Sequence, residues 1–423
     1  DPNNTEALYY AGNVLVQLHN HTAACETFEK VLSLQPSPPD NVLFSCANAH
    51  TLTGNYQRAI NLYLILLERK PSSPSVYHNL GCAYTKNKNY DLAINAFEQA
   101  IALDPQYAIA HIHLGEILLM LESFEDGWKE YAWQKEWYDS ITSKAITSWW
   151  QGEPLTNKSI TIITHNNEAE LLLLIRYAKE LKNLGAKSIQ VLCNNQYVQL
   201  LKLCPLLDTV VSHDDLSSIS ATDYHVFLID IPHVCNVESK IPVLHTPYLL
   251  ADTNVVAYWQ SYLKNIAQNS YKVGIYCNSN TTDTETTMYY QKILNTIIQT
   301  IITLDSVHFF FIDASQSIKN SLKKVPDRVT VLEEINVHNG TYTDVDLVIS
   351  PDCLIGHIAG ALGKKTILLL NNQNHWWWFL HKETTPWYPA TTLMRYNHDI
   401  TKENNIDVTV KNISSYLQNL KDT

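Results

Sequence analysis

The stretch from Tyr77 to Pro105, YHNLGCAYTKNKNYDLAINAFEQAIALDP, decides how the first third of the chain folds. Its apolar and small residues, Tyr77, Leu80, Gly81, Tyr84, Ala93, Phe97, Ala100 and the closing Pro105, form a frame that occurs elsewhere. One copy reads Leu8, Ala11, Gly12, Leu15, Ala24, Phe28, Val31 and Pro36. Another reads Leu43, Cys46, Ala47, His50, Ala59, Tyr63, Leu66 and Pro71, so the three prolines stand 35 and 34 residues apart. A fourth copy, Leu114, Gly115, Leu118, Gly127 and Tyr131, lacks the proline. In each copy a small residue lets one helix approach the next, an aromatic fills the gap between neighbours, and proline stops the second helix.

The frame resembles the tetratricopeptide repeat, a helix pair that stacks into a solenoid with a concave groove lined by the first helices. Counting along the frame places Tyr9, Asn13, Phe44, Asn48, His78 and Glu116 in that groove, where Asn13 and Asn48 are equivalent. A carboxamide there can pair with the backbone of an extended peptide or simply cap a neighbouring turn. The expected partner is a protein or peptide. Asp1-Pro2 matches Asp104-Pro105, and the chain is expected to be a piece of a longer protein. Aromatic density at Trp128, Trp133, Trp137, Trp149 and Trp150 fits a last repeat that packs on a following domain, with a sugar-stacking platform as the alternative.

From Ser159 the period changes. Short apolar runs at 160–164, 189–193, 209–212 and 225–230 alternate with helical stretches at 171–184 and 198–203. A helical segment at 247–267 leads to a second set of strands at 273–276, 308–312, 329–332, 347–350 and 366–370. Alternation of this kind implies parallel sheets with crossover helices. The expected fold is thus an α solenoid followed by α/β layers forming two Rossmann-like halves. The expected boundaries are 1–138 for the repeats with a capping helix, 139–158 for a linker, 159–246 for one half, 247–270 for a connecting helix and 271–423 for the other half.

Composition excludes several classes. A net charge of −12 argues against a general nucleic-acid surface. No apolar run approaches the roughly 18 residues of a membrane span. Eight cysteines without any Cys-x-x-Cys argue against a metal knuckle or a disulfide framework, so no metal is expected and a reducing cytoplasm is the simpler setting. Neither sheet opens on G-x-G-x-x-G, which disfavours a dinucleotide oxidoreductase.

The second set holds the most informative segment, from Asp346 to Leu370. A strand ends at Ser350, and a helix rich in small residues opens after Asp352 and closes at Gly363. Free amides at its start suit a diphosphate, while Gly356, Ala359, Gly360 and Ala361 let backbone pack or approach closely. Asp352 either caps the helix or orients a ligand hydroxyl, and His357 is either a satisfied core group or a phosphate contact.

These residues, with Trp376-Trp377-Trp378, Pro386-Trp387-Tyr388-Pro389, Gly127-Trp128-x2-Tyr131-x-Trp133 and Ile175-Arg176-Tyr177-Ala178, resemble bacterial tetratricopeptide proteins with a C-terminal heptosyltransferase-like domain of glycosyltransferase family nine. The resemblance implies a GT-B arrangement and a metal-independent, inverting transferase using a nucleotide-diphospho-sugar and no cofactor. Asp352, Cys353, Gly356, His357, Gly360 and Tyr388 would then hold the donor in the C-terminal half. Two departures stand out. Where the family carries a Gly-rich turn with a catalytic Asp, this chain has 165–170 as HNNEAE, leaving Glu170 as the candidate base and His165 as a second one. Where the family carries a cation after the first strand of its second half, this chain has 277–285 as CNSNTTDTE, with Lys364, Lys365 and Lys382 the cations left to compensate. Two readings follow: a transferase acting on a protein or peptide held by the repeats, or an inactive transferase-like scaffold whose groove is the working surface.

Overall fold

The computed structural model describes residues 2–137, 148–164, 167–235, 247–268, 270–278, 284–301, 306–323, 328–332, 344–371, 375–396 and 404–419. They fall into two compact units, Asp1–Ser143 and Lys144–Thr423.

The first unit is four helix pairs: α1 Thr5–Gln17 with α2 His21–Leu34, α3 Asp40–Leu52 with α4 Tyr56–Arg69, α5 Pro74–Lys86 with α6 Tyr90–Leu103, and α7 Ala108–Met120 with α8 Phe124–Tyr131. The small residue of each first helix is required by contact. A Cβ on Gly12 would lie 2.5 Å from the Phe28 ring, and one on Gly81 would lie 2.7 Å from the Phe97 ring. At Gly115 it would meet the backbone nitrogen of Tyr131 at 2.5 Å, so the last pair packs backbone to backbone. Each pair turns through one left-handed residue: His19, Gly54, Lys88 and Glu122, with φ of 58°, 81°, 63° and 67°. The amide after each closes the helix end, as Asn20 N–H donates to Leu15 O and Asn89 N–H to Tyr84 O, both at 2.9 Å. First helices touch first helices of the next pair, α1 on α3, α3 on α5 and α5 on α7, which puts them on the inner face. The aromatic residues after α7 pack inside this unit: Trp128 and Tyr131 are each 1% exposed, and the Trp133 ring stacks on His111 at 4.1 Å.

The second unit holds two parallel sheets. The first has β1 Ser159–Ile163, β2 Ser188–Cys193, β3 Thr209–Ser212 and β4 Tyr224–Phe227, ordered β3-β2-β1-β4. The second has β5 Tyr271–Tyr276, β6 Val307–Ile312, β7 Val329–Leu332, β8 Leu347–Pro351, β9 Thr366–Leu370 and β10 Thr391–Arg395, ordered β10-β9-β8-β5-β6-β7. Numbered within its own half, the second order is 3-2-1-4-5-6 read from the β7 side, the doubly wound Rossmann arrangement. Val307–Ile312 is buried at every position, as a strand covered on both faces must be.

Several expectations need correction. The helix expected over 171–184 is broken: α9 Glu168–Leu174 passes into a 3-10 turn at Ile175–Tyr177 before helix resumes at Ala178–Asn183. Residues 228–230 leave β4 as a 3-10 turn. The connecting helix, α10 Thr253–Ala267, starts only after Asp252 caps it, and 247–252 runs as irregular chain. The expected linker ends early, because Trp149 bridges His225 and the Trp150 amide donates to His225 O at 2.9 Å. Strand β10 was not anticipated. Further helices of this unit include α11 Thr284–Ile301, α12 Leu354–Ala361 and α13 Asn404–Asn419.

Candidate functional sites at the sheet edge and in the repeat groove

In a sheet wound both ways from its middle, ligands sit outside the carboxyl ends of the strands where the order reverses. In the second sheet that point lies between β5 and β8, beside Cys277 and Asp352. β8 ends at Pro351, and α12 begins after Cys353, whose extended backbone (φ −156°) makes it the N-cap. Asp352 is therefore not the cap. Its Oδ1 lies 3.4 Å from His357 Nε2, while the Tyr388 hydroxyl lies 2.9 Å from His357 Nδ1. Burial raises the Asp352 carboxyl, but the hydrogen bond and charge of His357, helped by His375 and Trp378, bring it below its ordinary value. Burial pushes the Cys353 thiol up to about 11, against the pull of Ser350 and the first amides of α12 at Gly356 and Ile355. The thiol thus stands over the amides expected to meet a diphosphate.

The glycines of α12 serve packing. A Cβ on Gly356 would lie 2.4 Å from Leu368 Cδ2, and one on Gly360 would lie 2.4 Å from Tyr388 Cγ. Tyr388 is 1% exposed and fills the space over Gly360, so it is a packing residue here and does not wall an open pocket. His357 is equally enclosed, at 1% exposure, among the rings of Trp377, Trp378 and Tyr388. Only Asp352, Cys353 and Leu354 remain partly open at the start of the helix.

Arg176, quoted above only as part of a motif, turns out to organise this edge. Its guanidinium donates to Leu173 O at 2.8 Å, to Trp387 O at 2.5 Å and to the Tyr248 hydroxyl at 3.1 Å. It lies over three rings: Tyr248 at 4.7 Å, Tyr388 at 5.1 Å and Trp387 at 5.3 Å. A side chain from the first half is thereby clamped, 1% exposed, between the connecting segment and the second half. Helix α9 packs on α12, and Leu171–Leu174 are buried there. Glu170 sits in the first turn of α9 at 6% exposure, its amide donating to Asn167 Oδ1 at 3.2 Å. His165 lies outside the described residues.

Beside the enclosed Arg176 guanidinium, the described carboxylates at this edge are Asp313 and Asp352. Asp313, held at φ 55°, accepts from Asn278 Nδ2 at 3.1 Å and faces the Tyr276 hydroxyl at 3.4 Å. In sequence, the segments 277–283, 313–315, 333–343, 352–353 and 371–375, which follow β5 to β9, contain no Lys or Arg. Lys364 and Lys365 precede β9 at the opposite edge, where burial lowers the Lys364 pKa against the pull of Asp344 and Asp346. Lys382 places its Nζ 5.3 Å from the Phe379 ring centre.

In the first unit, Tyr9, Asn13, Phe44, Asn48, His78 and Glu116 are all half-buried on first helices. Asn13 hydrogen-bonds Tyr9 and draws its phenol below the usual value, and the Tyr63 hydroxyl donates to Asn48 Oδ1. Residues 5–38, 42–75 and 74–107 each match a family model described as Tetratricopeptide repeat. The first unit is a tetratricopeptide stack. The photosystem I assembly protein Ycf3 of Synechococcus elongatus is 27% identical over 114 residues. That match takes in 23% of this chain and 66% of Ycf3, just short of two thirds of the relative's length. The structure of MamA 41-end from Desulfovibrio magneticus RS-1 is 24% identical, with a TM-score of 0.30, over 34% of this chain and 78% of that one. For the second unit, a glycosyl transferase family 9 structure from Veillonella parvula DSM 2008 is 9% identical, with a TM-score of 0.45. It covers 58% of this chain and 88% of that one. Tetratricopeptide repeats joined to two Rossmann-like halves is the architecture that the sequence led us to expect. Among the described residues no helix is long and apolar enough to cross a membrane.

Proposed function

We propose that the protein is a partner-binding scaffold, in which the repeat groove takes a protein segment and the glycosyltransferase-like unit holds no sugar-nucleotide donor. The observation that carries this reading is the state of the β5–β8 edge. Among the described residues, the buried Arg176 guanidinium is spent on Trp387, Tyr248 and Leu173, the glycines are covered by Leu368 and Tyr388, and the Asp313 and Asp352 carboxylates carry the sign opposite to what a diphosphate needs. A diphosphate leaving group needs donors and positive charge placed where its own charge develops, and this edge supplies neither in quantity. The groove, by contrast, keeps half-buried aromatics and carboxamides along its first helices.

Transfer has one observation in its favour: Asp352, Cys353 and Leu354 leave the start of α12 partly open, with the Glu170 carboxylate on the neighbouring α9. A thermal-shift panel of nucleoside diphosphates and their sugars separates the two readings. A donor at 100 times its Kd stabilises by about 2.7 kcal/mol, which raises the melting temperature of a domain this size by roughly 5–10 °C. The scaffold reading expects no shift from any member. A saturable shift with one of them, lost in His357→Ala, establishes a donor site and overturns it.

A further inference from the structure

We infer that the repeat groove carries a transition-metal site, built from His78, Cys82 and His113 and suited to zinc. Nε2 of His78 lies 3.0 Å from Nδ1 of His113, and Cys82 Sγ lies 3.7 Å from the former and 3.4 Å from the latter. Zinc bound at about 2.0–2.1 Å to nitrogen and 2.3 Å to sulfur has tetrahedral edges of about 3.3 Å between nitrogens and about 3.5 Å between nitrogen and sulfur. The three atoms already form one face of that tetrahedron to within a few tenths of an ångström. Binding the ion replaces the His78–His113 hydrogen bond and releases the Cys82 thiol proton to solvent, so that sulfur binds as thiolate.

Sequence explains the placement. His78 and Cys82 are one helical turn apart on α5, so both point the same way, and His113 comes from α7, the next first helix in the stack. Cys82 stands where the two preceding repeats carry Asn13 and Asn48, and Glu116 stands there in the following repeat. All three ligands are half-buried on the groove face, so three protein ligands leave a fourth position open. Three ligands with an open place mark an exchangeable site, whereas structural zinc sites close with four. Water fills that place, or a His, Cys or carboxylate from whatever lies in the groove.

A second cluster in the same unit, Glu29, Cys46 and His50, supplies the control. Both Glu29 oxygens are taken by Arg58, at 2.8 and 3.0 Å, and Oε1 also meets His50 Nε2 at 2.9 Å. Cys46 is 0% exposed and the Glu29 carboxylate is already neutralised by Arg58, so that cluster is the weaker candidate for an ion. The absence of Cys-x-x-Cys had suggested no metal at all; these ligands are spaced by a helical turn and a repeat instead.

The test uses the full chain stripped with a chelator and titrated with zinc, then with cobalt(II) as a spectroscopic probe. One ion per chain is expected, with the visible bands of tetrahedral cobalt and a thiolate charge-transfer band. Cys82→Ser must abolish the charge-transfer band and weaken zinc by more than the about 10–100-fold that loss of an outer-shell partner costs. His50→Ala must bind as wild type. Circular dichroism checks that each variant folds. Should one fail, alkylation of the wild type reads the same ligand: zinc must protect Cys82 while leaving Cys235 and Cys353, the other half-buried thiols, unchanged. Failure to bind stoichiometrically, full affinity in Cys82→Ser, or alkylation of Cys82 indifferent to zinc overturns the site.

Discussion

Replacing Arg176 by Met distinguishes a structural clamp from a cation held for a ligand. The substitution keeps an unbranched chain of similar reach in a site that is 1% exposed, so little cavity forms. It removes the donors to Leu173 O, Trp387 O and the Tyr248 hydroxyl. Tyr248 retains its own bond to Leu172 O at 2.8 Å, so two carbonyls are left buried without this partner. Each costs about 1–3 kcal/mol, and three ring contacts with the cation add about 0.5–2 kcal/mol more. Against this stands relief from burying an ion, several kcal/mol in the opposite direction. Taking the middle of each range leaves about 2 kcal/mol of destabilisation, a drop of roughly 4–8 °C in the transition of the second unit. Scanning calorimetry reads that transition, and the repeat transition in the same scan should stay in place. A guanidinium kept for an absent anion behaves oppositely: its loss leaves the melting temperature unchanged or raises it. A shift below about 1 kcal/mol would refute the clamp.

Gly360→Ala drives a methyl group into the Tyr388 ring and should destabilise the second unit by about 1–3 kcal/mol, measured as a lower denaturant midpoint. Phe97→Ala empties the space over Gly81 and should lower the stability of the repeat unit by about 3–5 kcal/mol in urea titration; an unchanged midpoint contradicts the packing described. Lys88 holds φ at 63°, so Lys88→Gly should raise repeat stability by about 0.5 kcal/mol, while Lys88→Val should lower it. The Asp352 carboxyl titrates below its ordinary value when folded, so its contribution is present above about pH 4 and disappears as pH falls through the folded pKa. Asp352→Asn should therefore flatten the acid limb of the second unit's stability curve, and an unaltered acid limb would deny the pairing with His357.

The repeats were legible because their constraint is short-range and periodic. Gly12 against Phe28 and Gly81 against Phe97 are contacts between frame positions, and the frame recurs. The left-handed turns share no sequence signal, since Gly54 is a glycine while His19, Lys88 and Glu122 adopt a positive φ without one. Buried strands such as Val307–Ile312 stand out as apolar runs, whereas β10, Thr391–Arg395, sits at a sheet edge and reads as polar chain. The break at Ile175–Tyr177 hides inside an uninterrupted apolar stretch. At the sheet edge, sequence identified the right residues without the direction of their contacts. Gly356 and Gly360 read as positions where backbone packs or approaches closely, and the structure shows that the chain's own Leu368 and Tyr388 are what packs there. Arg176 reaches partners 72 and 211 residues away, and His113 meets His78 across a full repeat. Such pairings leave no local signature.

Titration calorimetry of the intact chain with uridine, adenosine and guanosine diphosphates, at concentrations far above a micromolar Kd, tests the absence of a donor site most directly. The packed β5–β8 edge predicts heats no larger than dilution for all three. A saturable one-to-one isotherm with any of them, abolished by Asp352→Asn or His357→Ala, would show that this edge opens to a phosphorylated donor and would contradict the scaffold account.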